Sequence, residues 1–98
     1  MKQIRPDQVQ QRLEAGEPVN IIDVRQPSEV AQGKIRGAVN IPLGLLEFKM
    51  NELNKREEYI IVCQSGGRSS QATAFLEYQG FKVQNMAGGM NEWDGETE

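Results

Sequence analysis

The stretch Tyr59-Ile60-Ile61-Val62-Cys63-Gln64-Ser65-Gly66-Gly67-Arg68-Ser69-Ser70 constrains this chain more than any other. Ile60, Ile61 and Val62 form a short apolar, β-branched run, the pattern of a strand buried on both faces of a parallel sheet. Gly66 and Gly67 let the backbone turn sharply and aim successive N–H groups inward. Ser69 or Ser70 is the expected cap of a following helix. A strand, a tight loop and a helix N-terminus in that order favour negative charge at the turn. The only cysteine of the chain, Cys63, stands where the strand ends. A thiol facing such a loop, with the fixed charge of Arg68 nearby, is expected to have a lowered pKa and to be partly thiolate at neutral pH.

A lone free cysteine is more often a small core hydrophobe. Such a residue has no need of the polar and glycine residues and the arginine that follow Cys63 at once, and this context favours the reactive reading. The rest of the composition narrows the chemistry. The 98 residues suit one domain with a modest core, and the net charge of -3 argues against a nucleic-acid binder. No apolar run approaches the length of a membrane span. Met1 to Pro6 lacks an apolar signal segment, so a cytoplasmic protein is expected. One cysteine excludes an internal disulfide and a resolving partner within the chain. The absence of histidine removes Cys-His nucleophiles, phosphohistidine chemistry and nearly all zinc sites. Nothing in the sequence points to a metal or an organic cofactor.

Along the chain, Pro6 suits the first position of a short amphipathic helix that carries Val9 and Leu13 and ends at Gly16. Ile4 and Val9 are placed as a hydrophobic staple. Val19 to Val24 reads as a buried strand, with Asp23 a hydrogen-bonding anchor for neighbouring loops rather than a catalyst. Pro27 opens a short helix over Ser28 to Gln32, and Arg25 and Glu29 are spaced to pair across it. Gly33 to Pro42 is a turn leading into a strand at Ala38 to Asn40, with Lys34 and Arg36 solvated. Leu43 to Lys55 has a helical pattern with Leu46, Met50 and Leu53 on one face. Ser69 to Gln79 is a helix with Ala72, Phe75 and Leu76 inward; Gly80 stops it and Phe81 folds back. Lys82 to Met86 is a last strand. Trp93 anchors a short helix, and Asp94 to Glu98 is a frayed tail. Alternating strands and helices predict an α/β fold with a mainly parallel sheet and a site beyond the C-terminal strand ends, where Asp23 and Cys63 fall.

Three stretches together resemble the single-domain rhodanese-like sulfurtransferase family. They are Ile22-Asp23-Val24-Arg25 with Glu29 and Gly33 to Pro42; Cys63 through Ser69; and Met86-Ala87-Gly88-Gly89-Met90 with Trp93. In order and spacing they cover the chain from about Ile4 to Trp93. Family members often carry histidine where this chain has Lys34. The resemblance implies a three-layer fold, a central mostly parallel sheet of about five short strands flanked by helices. It also implies that Cys63 carries sulfane sulfur as a persulfide, cradled by Gln64, Ser65, Gly66, Gly67, Arg68 and Ser69. The implied partners are a small-molecule donor, thiosulfate or a persulfide, and a thiophilic acceptor such as cyanide or a thiol. Arg68 favours an anionic donor. A carrier that exchanges sulfur with other proteins is a variant of this reading.

Two other classes compete. Cysteine-dependent phosphatases place five residues between cysteine and arginine, whereas this chain has four, Gln64 to Gly67, which makes a smaller pocket. Arsenate reductases that finish on an internal disulfide need more cysteines. A non-catalytic or regulatory binding module on the same fold would not need Cys63, the glycines and Arg68 together.

Overall fold

The computed structural model describes residues 1–98. Its order is β1 (Gln3–Ile4), α1 (Pro6–Glu14), β2 (Asn20–Asp23), α2 (Pro27–Val30), β3 (Val39–Asn40), α3 (Leu46–Lys49), β4 (Glu58–Val62), α4 (Gly67–Tyr78) and β5 (Lys82–Met86). The strands form one sheet in the order β1-β5-β4-β2-β3. Every pairing is parallel. The apolar run of β4 is the centre of this sheet, with Ile61 beside Ile22 of β2 and Asn85 of β5.

The core lies in two layers, one on each face of the sheet, and β4 feeds both by simple alternation. Tyr59, Ile61 and Cys63 point into the layer shared with Ala72 and Leu76 of α4 and Leu46 of α3. Ile60 and Val62 point into the opposite layer with Val9 of α1, Ile21 and Met86. Ile4 and Val9 meet there as the staple requires, with Pro6 at the first position of α1. The chain leaves β2 outward to β3, returns to β4, then steps the other way to β5. The reversal falls between β2 and β4, so their C-terminal ends frame the crevice in which open α/β sheets place their sites.

The C-terminal stop of α4 forms as expected. Gly80 takes φ +95°, and the Phe81 N–H donates to Leu76 O at 3.0 Å. Other expectations need correction. Leu43 to Lys55 is not one helix: a 3-10 turn at Leu43–Leu45, the single turn of α3 and a second 3-10 turn at Met50–Glu52 replace it. Leu46 is still buried and Met50 and Leu53 still pack on the same layer. The tail is docked rather than frayed. Thr97 bridges Ile35, and the backbones of Lys34 and Glu98 bond each other in both directions at 3.2 and 2.9 Å. Lys34 Nζ donates to Glu98 Oε1 at 2.6 Å, and Arg36 meets Glu96 at 3.5 Å. Lys34 is therefore tied to the acidic tail rather than solvated, while Arg36 remains solvated as expected. No helix is long and apolar enough to cross a membrane.

Ile61 is completely buried at the middle of the central strand. Ile61→Ala is expected to destabilise the fold by about 2–5 kcal/mol and Ile61→Val by about 0.5–1.5 kcal/mol. Urea unfolding of the two variants checks this gradation.

Candidate active site

Cys63 is the first residue after β4 and is fully buried. The chain then turns directly into α4. Gly66 caps the helix with φ +103°, and Ser70 N–H makes the first helical bond to its carbonyl at 3.0 Å. The expectation of a serine cap is thus corrected: the left-handed glycine starts the helix at Gly67 and places Ser69 inside the first turn. With a glycine at the cap, no side-chain oxygen competes for the N-terminal amides. The Gly66 N–H donates to Cys63 Sγ at 3.0 Å.

The carbonyls on this loop are turned away by a second element, a 3-10 turn at Gly89–Glu92. Met90 N–H donates to Cys63 O at 2.8 Å, and Asn91 N–H donates to Gln64 O at 2.9 Å. This contact needs glycine at position 89, where φ is +59° and a Cβ would collide with the backbone of Cys63 and Gln64. The result is a loop whose acceptors face outward and whose donors face the sulfur.

Burial works against the Cys63 thiolate, but it is outweighed. The Ser69 hydroxyl and the backbone N–H groups of Ser69, Gly66 and Ser65 leave the thiol pKa below its ordinary value. Ser69 Oγ is buried and makes no well-formed hydrogen bond elsewhere in the chain, which leaves it available to the sulfur.

Behind the loop lies a buried ion pair. Arg25 donates to both oxygens of Asp23 through Nε at 3.0 and 3.1 Å, and through Nη2 at 2.8 Å. Its Nη2 also donates to Gly33 O at 2.8 Å, and its Nη1 to Gln64 Oε1 at 3.2 Å. Gln64 in turn donates to Asn91 Oδ1 at 2.7 Å. Asp23 is the anchor that its sequence position suggested, but its partner is Arg25, and Arg25 does not pair with Glu29. Residues two apart on extended chain share a side, and that spacing was the available signal. Glu29 instead receives Arg68: Nη1 donates to Oε2 and Nη2 to Oε1, both at 2.7 Å. The Arg68 guanidinium, with help from the Gln26 N–H, lowers the Glu29 pKa to about 2.

The structure thus brings Cys63, Gln64, Ser65, Gly66, Gly67, Arg68 and Ser69 into one turn, as the sequence suggested. It adds Arg25, Glu29, Gly89 and Asn91. A cavity of about 370 Å³ opens beside the loop between Arg25, Glu29, Gln64 and Met90. A groove of about 400 Å³ between α1 and the tail, near Leu13 and Trp93, contains no nucleophile. No group of three or more potential ligand side chains is gathered to hold a metal ion.

The fold agrees with what related proteins show. The family model of the rhodanese-like domain matches residues 5–96. The chain belongs to that family. It is 43% identical over 98 residues to YtwF of Bacillus subtilis, covering 100% of this chain and 95% of that protein. It is 39% identical over 94 residues to a protein of Allochromatium vinosum named sulfurtransferase, covering 95% of this chain and 88% of that one. The crystal structure of a rhodanese-like domain protein from Staphylococcus aureus superposes with a TM-score of 0.95 at 39% identity, over 100% of this chain and 97% of that one.

Two expectations follow. The rate of Cys63 alkylation by iodoacetamide should rise with pH to a midpoint below that of a free thiol, and Ser69→Ala should move that midpoint up. Because the folded pKa is depressed, the matching stability is present above the unfolded thiol pKa and is lost as pH falls through the folded value. Asp23→Ala should destabilise by about 3–5 kcal/mol, because it strands a buried guanidinium; denaturant titration measures it.

Proposed function

We propose that this chain is a sulfurtransferase that carries sulfane sulfur as a persulfide on Cys63. The Gly66 N–H on Sγ and the lowered thiol pKa carry the reading. They favour an anionic sulfur at that position without a histidine base. The names of the relatives support the same class of reaction.

In the first half-reaction the Cys63 thiolate attacks the outer sulfur of thiosulfate or of a persulfide. A new S–S bond forms on Cys63, the donor's S–S bond breaks, and sulfite or a thiolate leaves with the bonding pair. In the second, cyanide or a thiol attacks the outer sulfur of the Cys63 persulfide and takes it away, and the thiolate returns. No net oxidation occurs, and no second cysteine of the chain is required. Gln64, Ser65, Gly66, Gly67 and Ser69 form the wall around the transferred atom. Their backbone amides and the Ser69 hydroxyl stabilise charge on either sulfur. Arg68 flanks this wall with its charge already matched by Glu29. Cys63 is fully buried at the end of β4. Protein donors and acceptors fit the same chemistry.

Intact mass after incubation with thiosulfate, and then with cyanide, tests the reading. The protein should gain one sulfur atom and lose it again with cyanide. Cys63→Ser should gain none. Failure to load with thiosulfate and with every persulfide tried would overturn the proposal.

A further inference from the structure

Arg68 is the only cationic side chain carried by the cysteine loop itself, and it is not a free cation. Glu29 occupies both of its Nη groups in a two-pronged bond, with the pair about one-third exposed. Glu29 is held in that pose from its own side, since its Oε2 also accepts the Gln26 N–H at 2.9 Å. The other guanidinium near the loop, Arg25, is committed to Asp23, Gly33 and Gln64. Both cations beside Cys63 are therefore matched by carboxylates. What stabilises negative charge at the sulfur is a set of short-range dipoles, which serve a single charged atom well and a second, distant charge poorly.

The neighbouring cavity has a complementary character. Its volume of about 370 Å³ falls in the range of small organic ligands and is far larger than a thiosulfate ion needs. Glu29 forms part of its wall beside Arg25 and Gln64, and it stands there already bonded to Arg68.

We propose that Glu29 is a specificity-determining residue. By neutralising Arg68 and filling its oxygen-binding edge, it turns the site away from dianionic thiosulfate and towards organic persulfides whose only charge is on the transferred sulfur. This rests on the sulfur-transfer reading and narrows its donor class. The sequence, where Arg68 stands without a visible partner, points the other way; the ion pair reverses that preference. In the favoured half-reaction, the Cys63 thiolate bonds to the terminal sulfur of the organic persulfide. The donor's S–S bond breaks, and the donor leaves as its thiolate.

Glu29→Gln tests the proposal. It keeps an oxygen for the Gln26 N–H but removes the charge. The kcat/KM for thiosulfate should rise about three- to tenfold, the scale of one uncompensated charge near a partly screened site. That for N-acetylcysteamine persulfide should rise by less, so that the thiosulfate-to-persulfide ratio of kcat/KM increases. A parallel readout needs no sulfur transfer: the ratio of Cys63 alkylation rates by iodoacetate and by iodoacetamide. The thiolate fraction cancels in this ratio. It should rise about three- to tenfold in Glu29→Gln, fall in Arg68→Gln, and return to within about twofold of wild type in the double variant. An unchanged ratio, or a thiosulfate efficiency that falls or stays level in Glu29→Gln, overturns the role of Glu29 while leaving sulfur transfer intact. Loading of the wild type by neither donor overturns sulfur transfer itself, and the donor preference with it.

Discussion

The buried pair of Asp23 and Arg25 sets the position of nearly everything around Cys63. Two opposite charges removed from water are tolerated only when the geometry is tight and the remaining donors are used. Here they are used across the fold. Nε and Nη2 of Arg25 hold Asp23, while Nη2 and Nη1 also reach the carbonyl of Gly33 and the side chain of Gln64. The Asn40 amide donates to the carbonyls of Asp23 and Arg25 at 2.8 and 2.9 Å. The ion pair and the two backbone carbonyls of its residues therefore register the end of β2, the edge strand β3, the turn at Gly33 and the residue next to Cys63. Its value to the protein lies in fixing those parts relative to one another more than in net stability, since such pairs contribute little of the latter.

The same economy governs the electrostatics of the cysteine. A thiolate can be stabilised by a nearby cation or by oriented dipoles. This chain uses dipoles at short range and cancels its cations in pairs. The arrangement depends on Gly89, because only a residue without Cβ lets Met90 and Asn91 dock on the carbonyls of Cys63 and Gln64. Once those carbonyls are tied outward, the peptide planes between them and α4 present N–H groups to the sulfur. A buried sulfur surrounded by donors changes charge with little rearrangement, which is the physical content of preorganisation.

Much of this was legible in the sequence. The β-branched run before Cys63 is a central parallel strand, and the turn after it collects the residues that the spacing grouped together. What was hidden follows from physics that local pattern does not carry. A run apolar on every residue does not say which face Cys63 joins; the alternation with Ile61 decides that only once α4 is in place. The two-residue strand β1 is defined by its partner β5, not by its own pattern. Leu43 to Lys55 has helical spacing but breaks into three turns under tertiary packing. Glu29 stood four residues from Arg25, yet its partner came from 39 residues away. The Asp23–Arg25 spacing was visible, but the loops it gathers were not. The acidic tail looked like free chain because its partners at Lys34 and Gly37 lie far back in sequence.

The order of the strands also bears on how molecules of this protein meet one another. The three longer strands β5, β4 and β2 are interior, and both margins of the sheet are formed by strands of two residues, β1 and β3. Each margin thus offers too short a row of open amides and carbonyls to recruit an extended segment from a neighbouring molecule. A chain whose central strand is β-branched and uncharged from Tyr59 to Cys63 would otherwise be prone to templated aggregation. Keeping that strand in the middle, with the shortest strands outside it, restricts the hazard to the time before the sheet closes.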